Sequence, residues 1–190
     1  MSSQVINDQL FFAHCLLPIA HCCFPFPNCK FSKMPTNSFQ FEYEKYDSAS
    51  KMNEADQLLL KKAFEAASTA YAPYSNFKVG AAAEMDNGKI ITGSNQENIS
   101  FPAGLCAEGV VMAAASASFP GMPIRRLAIS YQSADNSNDQ PIAPCGICRQ
   151  KLQEFQERTG SPVKLIMGGI NGAVIIVPDA SSLLPFTFRF

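Results

Sequence analysis

The stretch FKVGAAAEMDNGKIITG, residues 77–93, contains two apolar runs separated by a turn sequence. Residues 77–85 and 89–93 have the composition of two short strands. Asp86-Asn87-Gly88 between them is typical of a hairpin turn, because Asn and Gly adopt the positive φ angles that tight turns need. The sequence therefore predicts a β-hairpin over residues 77–93.

Helical and strand patterns alternate on both sides of this hairpin. Before it, Asn53 is placed as an N-cap with Glu54 and Asp56 in the first helical turn, and Pro73 closes the helical segment. After it, we expect helices at 105–118 and 145–158 and strands at 126–131, 163–167 and 173–177. This order predicts the α/β class, as a three-layer α/β/α sandwich with a mixed sheet of about five strands.

The composition excludes several classes of protein. Of the 190 residues, 47% are hydrophobic, which excludes a disordered chain, and only 16% are charged. The formal net charge is -1, so no basic surface points to a nucleic-acid partner. The chain has 7 cysteines, an odd number, so they cannot all pair in intramolecular disulfides.

Residues 1–33 differ from the rest of the chain because they hold both histidines and four of the cysteines. The segment lacks the positively charged start of a secretory signal. Three prolines interrupt its apolar run, which argues against a membrane-spanning helix. A zinc knuckle is conceivable, although the spacing matches no familiar ligand pattern. We expect a non-functional or disordered extension, translated upstream of a true start at Met34. Residues 34–52 then form an N-terminal arm or short surface strand, and residues 53–190 the main domain.

The three remaining cysteines favour a metal site. Cys145 and Cys148 form a C-x-x-C pair after Pro144, at the expected start of a helix, and Cys106 opens the other helix. Free N–H groups at helix N-termini favour thiolates, so two helix ends can supply three corners of a tetrahedral zinc site. The fourth corner is then open to water, which is typical of a catalytic zinc site.

Glu108 adds the chemistry of an acid and base. It lies two positions after Cys106, where it can sit beside the metal without binding it and pass a proton from water to a ring nitrogen. A C-x-x-C pair alone is as typical of a redox pair or of half a structural zinc site. Cys-x-Glu followed by Pro-Cys-x-x-Cys, however, is the all-cysteine form of the zinc nucleobase-deaminase signature.

With these residues, the chain resembles the short, homotetrameric type of cytidine deaminase over most of its length beyond the extension. Besides the zinc motifs, three stretches carry the resemblance. They are APYSNFKVGAA at residues 72–82, GSNQEN at residues 93–98 and LLPFTF at residues 183–188. The resemblance implies a catalytic domain of the cytidine deaminase fold, with its sites shared between the subunits of a homotetramer.

The resemblance also implies the reaction. One Zn²⁺ per chain would be bound by Cys106, Cys145 and Cys148, and water would replace the amino group at C4 of cytidine or 2′-deoxycytidine. Glu108 would be the catalytic proton shuttle, which protonates N3 of the ring and then the departing amine. The products would be uridine or 2′-deoxyuridine and ammonia, a step of pyrimidine salvage.

Further residues would bind the substrate if the resemblance holds. Asn95 and Glu97 would hold the ribose 3′-hydroxyl, for which an amide and a carboxylate are suitable partners. Phe77 would lie against the pyrimidine, and the backbone around Ala107 would meet the polar edge of the ring. Phe188 would reach into the site of a neighbouring subunit and stack there.

One position departs from the family pattern. The family usually reads Cys-Ala-Glu-Arg, whereas this chain has Gly109 after Glu108. Zinc with three thiolates has one net negative charge, which an arginine near the sulfurs offsets and a glycine cannot. Arg149 is the candidate for that role, with Gln150 as a neutral donor. A surface salt bridge is the alternative for Arg149.

Two other functions stay open at this point. The chain could deaminate a cytosine nucleotide or a modified nucleoside, for which Lys78 is the only obvious phosphate-binding cation. It could also be a non-catalytic structural zinc domain, which Gly109 makes conceivable and Glu108 argues against. We expect a small-molecule nucleoside and other copies of the chain as partners, with neither nucleic acid nor membrane. The cytoplasm is the expected location because reduced thiolate ligands fit it.

Overall fold

The computed structural model of the protein describes residues 37–133 and 138–189. The predicted extension at residues 1–33 lies outside the described residues. Six strands form one sheet: β1 (Glu44–Tyr46), β2 (Lys78–Met85), β3 (Ile90–Ser94), β4 (Ile124–Gln132), β5 (Lys164–Gly168) and β6 (Val174–Val177). Three α-helices accompany it: α1 (Glu54–Ala66), α2 (Ala107–Ser118) and α3 (Gly146–Thr159). Short 3-10 helices occupy Ala49–Lys51, Ala67–Thr69, Phe101–Ala103 and Ala180–Leu183.

The predicted hairpin is confirmed. Strands β2 and β3 pair antiparallel from Gly80 opposite Ser94 to Glu84 opposite Ile90. In the turn, Gly88 has a φ of 78°, a left-handed conformation that glycine adopts without a steric penalty. The hairpin therefore forms where its turn residues predict it.

The sheet is mixed, as predicted, but it has six strands rather than about five. Its order is β1-β6-β5-β4-β2-β3; β4 and β5 are parallel and the other neighbours are antiparallel. The additional strand, β1, comes from the predicted arm and pairs along β6 from Glu44 to Tyr46. Its sequence, Glu-Lys-Tyr, has no apolar alternation. The strand lies at a sheet edge and is held by backbone pairing, which does not require such a pattern.

Helices cover both faces of the sheet, which confirms the three-layer arrangement. Successive residues of a strand point to opposite faces, so Ala82 packs with α1 while Ala81 and Ala83 pack on the side of α2 and α3. The α1 side also buries Leu59, Leu60, Ala63, Ala128, Ile166 and Ile176. The opposite side buries Val111, Met112, Leu127, Ile129, Leu152, Phe155 and Leu165.

The helices begin close to their predicted positions. Asn53 is the N-cap of α1, and its side chain accepts a hydrogen bond of 2.9 Å from the backbone N–H of Asp56. Helix α2 begins at Ala107, two residues later than predicted, so that Cys106 is its N-cap. Cys145 is likewise the N-cap of α3. Among the described residues, no helix has the length and apolar character needed to span a membrane.

A buried carboxylate ties α1 to the sheet. Asp56 is fully buried and accepts hydrogen bonds from Arg126 (2.8 Å), from Lys164 and from Asn53 (2.6 Å). Arg126 on β4 also pairs with Glu84 on β2. Burial alone would raise the pKa of Asp56, but the hydrogen bonds from Lys164, Arg126 and Asn53 outweigh it and hold that pKa below its usual value.

We predict that Asp56→Asn lowers the free energy of unfolding by about 3 kcal/mol at neutral pH, because two cations lose a buried partner. The lowered pKa means that this stabilisation is present above the pKa of an unfolded aspartate and is lost as pH falls through the folded value. The difference in the free energy of unfolding between wild type and variant should therefore become smaller below about pH 4. Urea denaturation across a pH series measures both effects.

Asp86→Asn is the matched control, since Asp86 pairs with Arg125 at 2.7 Å on the surface with both side chains more than half exposed. Loss of this surface ion pair should change the free energy of unfolding by less than about 1 kcal/mol. Equal effects of the two substitutions would contradict the structural role assigned to Asp56.

Candidate metal centre and substrate cavity

A cavity of ≈ 710 Å³ opens where α2 and α3 begin. Its walls are the loop before β2, the segment after β3 and the first residues of both helices. Seven of the predicted site residues line it: Phe77, Asn95, Glu97, Cys106, Ala107, Glu108 and Cys145. The fold thus brings into one place residues from three separate parts of the sequence.

The three predicted metal ligands lie together beside this cavity. Cys106 and Cys145 are the N-caps of α2 and α3, and Cys148 lies in the first turn of α3. The sulfurs of all three lie within 4.8 Å of one another, and the Sγ atoms of Cys106 and Cys145 are 3.7 Å apart. Cys148 is buried, whereas the other two cysteines reach solvent.

The cluster is chemically suited to a divalent cation. Burial raises the pKa of Cys106 and, much more strongly, that of Cys148, with the charge of Glu108 adding to both. Burial also acts to raise the pKa of Cys145, but hydrogen bonds from Cys148, its backbone N–H first, lower it overall. A cation among the three sulfurs would reverse this resistance to ionisation. Three sulfur donors within 4.8 Å of one another suit Zn²⁺, which takes four ligands and would keep one position for another.

Glu108 lies in the first turn of α2, directly beside the ligands. Only 4% of its surface is exposed, and this burial raises the pKa of its carboxyl group. The charge of Lys151 acts in the opposite direction and lowers that pKa. A raised pKa means that the carboxyl group holds a proton more readily than an exposed one, which suits a group that must accept and deliver protons.

Asn95 and Glu97 follow β3 and lie on the cavity wall. The Asn95 amide oxygen accepts a hydrogen bond from the Val79 N–H at 2.8 Å, and its nitrogen donates one to the Phe77 carbonyl at 3.0 Å. Glu97 accepts from the Tyr74 N–H at 2.8 Å and from the Ser75 N–H and hydroxyl.

These bonds fix both side chains and still leave capacity for a ligand. The hydrogen bonds to Glu97, from the Ser75 side chain first, lower the pKa of its carboxyl group, which therefore stays ionised. The Asn95 amide has a second N–H, and a carboxylate has about four acceptor sites.

In the described part of the chain, Phe77 is one of three aromatic residues that line the cavity, with Tyr74 and Phe101. Its ring centroid lies 5.3 Å from that of Tyr131, with the planes inclined by 32°. Such a tilted pair is a favourable arrangement of two aromatic rings. Ala107 is fully buried at the start of α2 and also lines the cavity.

The remaining three predicted residues lie at the C-terminal segment. Gln150 donates to the Phe188 carbonyl at 3.0 Å and accepts from the Phe188 N–H at 3.2 Å. Arg149 donates to the carbonyls of Pro144 (2.9 Å) and Leu183 (3.3 Å). The Phe188 side chain is 69% exposed and does not line the cavity of its own chain.

Sequence reasoning missed several residues that shape the site. Ser75 orients Glu97, Tyr131 supports Phe77, and Lys151 lies next to Gly109. Ser75 lies within the APYSN stretch already noted, so its position was available as a signal. The other two act across elements that are distant in sequence, which no local pattern reports.

Comparisons with known proteins agree with this site. A family model described as the cytidine and deoxycytidylate deaminase zinc-binding region matches residues 53–160. Cytidine deaminase from Halalkalibacterium halodurans is 34% identical over 132 residues, which cover 70% of this chain and 92% of that protein. Cytidine deaminase from Mycobacterium tuberculosis is 42% identical over 104 residues, 54% of this chain and 74% of the relative.

Solved structures give the same result. The chain matches a crystal structure of cytidine deaminase from Burkholderia pseudomallei with a TM-score of 0.61 at 35% identity, covering 72% of this chain and all of that one. Cytidine deaminase from Mycobacterium tuberculosis matches with a TM-score of 0.54 at 34% identity, covering 70% and 96%. The fold, the three-cysteine centre and the family model together show that the chain belongs to the zinc-binding cytidine and deoxycytidylate deaminase family.

Proposed function

We propose that the protein catalyses the zinc-dependent hydrolytic deamination of cytidine and 2′-deoxycytidine to uridine and 2′-deoxyuridine, with release of ammonia. The observation that carries this proposal is the buried carboxyl group of Glu108 beside three clustered sulfurs. A purely structural zinc site has no need of a buried acid at its edge.

Zinc held by Cys106, Cys145 and Cys148 would polarise a water molecule in its open position and make it more acidic. Glu108 performs the proton transfers on the chain's side of the reaction. Its carboxylate accepts a proton from water and delivers it to N3 of the pyrimidine while the water oxygen bonds to C4. It then accepts the proton left on that oxygen and delivers it to the amino group, so that the C4–N bond breaks, ammonia leaves and the C4 carbonyl forms. Burial keeps bulk water from competing for these protons.

The cavity wall supports a nucleoside as the substrate. Asn95 and Glu97 are both held rigidly and both retain hydrogen-bonding capacity for a ribose 3′-hydroxyl. A clamp on that hydroxyl leaves no room for a continuing nucleic-acid strand. Phe77 offers an apolar face against which the pyrimidine ring can stack, and the backbone at Ala107 lies beside the space the ring would occupy.

A second copy of the chain would complete the site. The rim of the cavity carries exposed apolar side chains, Phe101 at 79% and Ile147 at 69%. Phe188 is as exposed as Ile147, while Gln150 holds its backbone. We infer a homotetramer in which Phe188 from a neighbouring subunit covers the bound substrate, because several large exposed apolar side chains at a cavity rim are typical of protein interfaces.

The cellular role follows from the reaction. Conversion of cytosine nucleosides to uracil nucleosides is a step of pyrimidine salvage, and thiolate ligands suit the reducing cytoplasm. We propose that residues 53–190 form the catalytic domain, preceded in sequence by the arm at residues 34–52, and that residues 1–33 contribute nothing to catalysis.

We predict that Glu108→Gln retains zinc but lowers kcat by about 100-fold or more, because the amide cannot carry the proton between water and the ring. Zinc content by atomic absorption and turnover of cytidine by ultraviolet absorbance measure the two properties separately.

Glu154→Gln is the control, since Glu154 is an exposed residue of α3 and should give wild-type turnover. Near-normal turnover of the Glu108 variant would show that another group transfers the proton. Loss of zinc from that variant would show that Glu108 binds the metal.

The substrate class can be tested with four compounds: cytidine, 2′-deoxycytidine and their 5′-monophosphates. Among the described residues that line the cavity none is Lys or Arg, whereas Glu97 and Glu108 are both acidic. A phosphate there meets like charge and no cation, so we predict kcat/KM for the monophosphates to be lower by about 100-fold or more.

Each outcome of this comparison decides between functions. Turnover of both nucleosides supports the proposal. Preference for a monophosphate would identify a nucleotide deaminase, and a zinc-loaded protein inactive on all four compounds would indicate a structural zinc domain.

A further inference from the structure

Gly109 and Lys151 occupy one space between α2 and α3. A Cβ atom at position 109 would lie 3.0 Å from the Nζ of Lys151 and 4.0 Å from its Cδ. The first distance is shorter than an ordinary van der Waals contact. The ammonium group of Lys151 therefore lies next to the position that a Cβ atom of residue 109 would take. Because Gly109 has no side chain, the ammonium group has room there.

The helical spacing directs this contact to the metal centre. Gly109 is three residues after Cys106 along α2, and Lys151 is three residues after Cys148 along α3. Residues three apart lie on the same face of a helix, so both positions share a face with a cysteine of the cluster. Lys151 is also close enough to Glu108 to act on its carboxyl group electrostatically.

The charges at the centre call for such a cation. Three thiolates and the Glu108 carboxylate together have four negative charges, and Zn²⁺ offsets two of them. The site therefore keeps an excess of negative charge, which weakens the tendency of bound water to ionise. A positive group nearby offsets this excess and also stabilises the thiolate form of the ligands.

Arg149, the other basic residue close to Cys148, makes hydrogen bonds to backbone groups. Its guanidinium donates to the backbone carbonyls of Pro144 and Leu183, and thus holds the turn before α3 against the C-terminal segment. These contacts use two of the five N–H donors of the guanidinium. Lys151 is the basic side chain that reaches the face of α2 bearing Cys106.

We propose that Lys151 is a positioning residue for the metal centre: its ammonium group, placed in the space left by Gly109, offsets the excess negative charge of the zinc–thiolate site. The inference rests on the proposed function in that it assumes zinc at the three cysteines. Gly109 and Lys151 act as a pair, because a side chain at position 109 would push the ammonium group away.

The test compares Lys151→Met, which keeps the length of the side chain without its charge, with Lys151→Arg, which keeps the charge. Zinc release into an excess of a chromogenic chelator is measured together with kcat and KM for cytidine. We expect Lys151→Met to release zinc about 10-fold faster and to lower kcat with little change in KM. Lys151→Arg should restore both properties to near wild-type values.

A second readout separates charge from packing. Because Lys151 is exposed, added salt should screen its ammonium group, and the difference in zinc release between wild type and Lys151→Met should shrink at high ionic strength. Lys61→Met on α1 removes an equally exposed positive charge on the opposite face of the sheet and should behave like wild type.

Wild-type zinc release and turnover in Lys151→Met would overturn the inference, and so would equal impairment of Lys151→Met and Lys151→Arg. A wild-type protein that binds zinc but deaminates neither nucleoside would contradict the proposed function instead. The zinc-release measurements would then still decide the role of Lys151.

Discussion

Two helix N-termini meet beside one cavity, and the functional chemistry of the protein depends on this meeting. Helices α2 and α3 pack on the same face of the sheet through Val111, Leu152 and Phe155. Each helix begins with a cysteine, so packing of the apolar faces places three sulfurs within 4.8 Å of one another. The positive ends of both helices favour thiolates at that point and so offset part of the cost of ionising buried cysteines when a cation binds.

The sheet and the opposite helix provide the rigidity that the centre needs. Asp56 binds cations from two central strands and thereby fixes α1 against the face away from the cavity. On the cavity side, Glu97 and Asn95 are held by backbone groups before a substrate is present. Side chains that are already oriented lose little entropy on binding, which suits the ribose contact that we propose for them.

Much of the fold and the cysteine centre could be predicted from the sequence, because their signals are local. A turn of Asp-Asn-Gly, an N-cap at Asn53 and cysteines at fixed helical spacing each act over a few residues. The edge strand β1 has no apolar pattern that predicts it. Its pairing with β6, about 130 residues further along the chain, is visible only in the folded structure. Lys151 was not predicted for a related reason. The role that we propose for it depends on its contact with Gly109, and that contact forms only when α2 and α3 pack together.

The proposed reaction depends on a zinc ion that is held by three sulfurs and keeps one position for water. Zinc-edge X-ray absorption of the purified chain, full length and starting at Met34, tests this most directly. We predict one zinc per chain in both forms, with three sulfur neighbours at about 2.3 Å and one lighter atom. Four sulfur neighbours, a histidine nitrogen, or zinc only in the full-length form would contradict it.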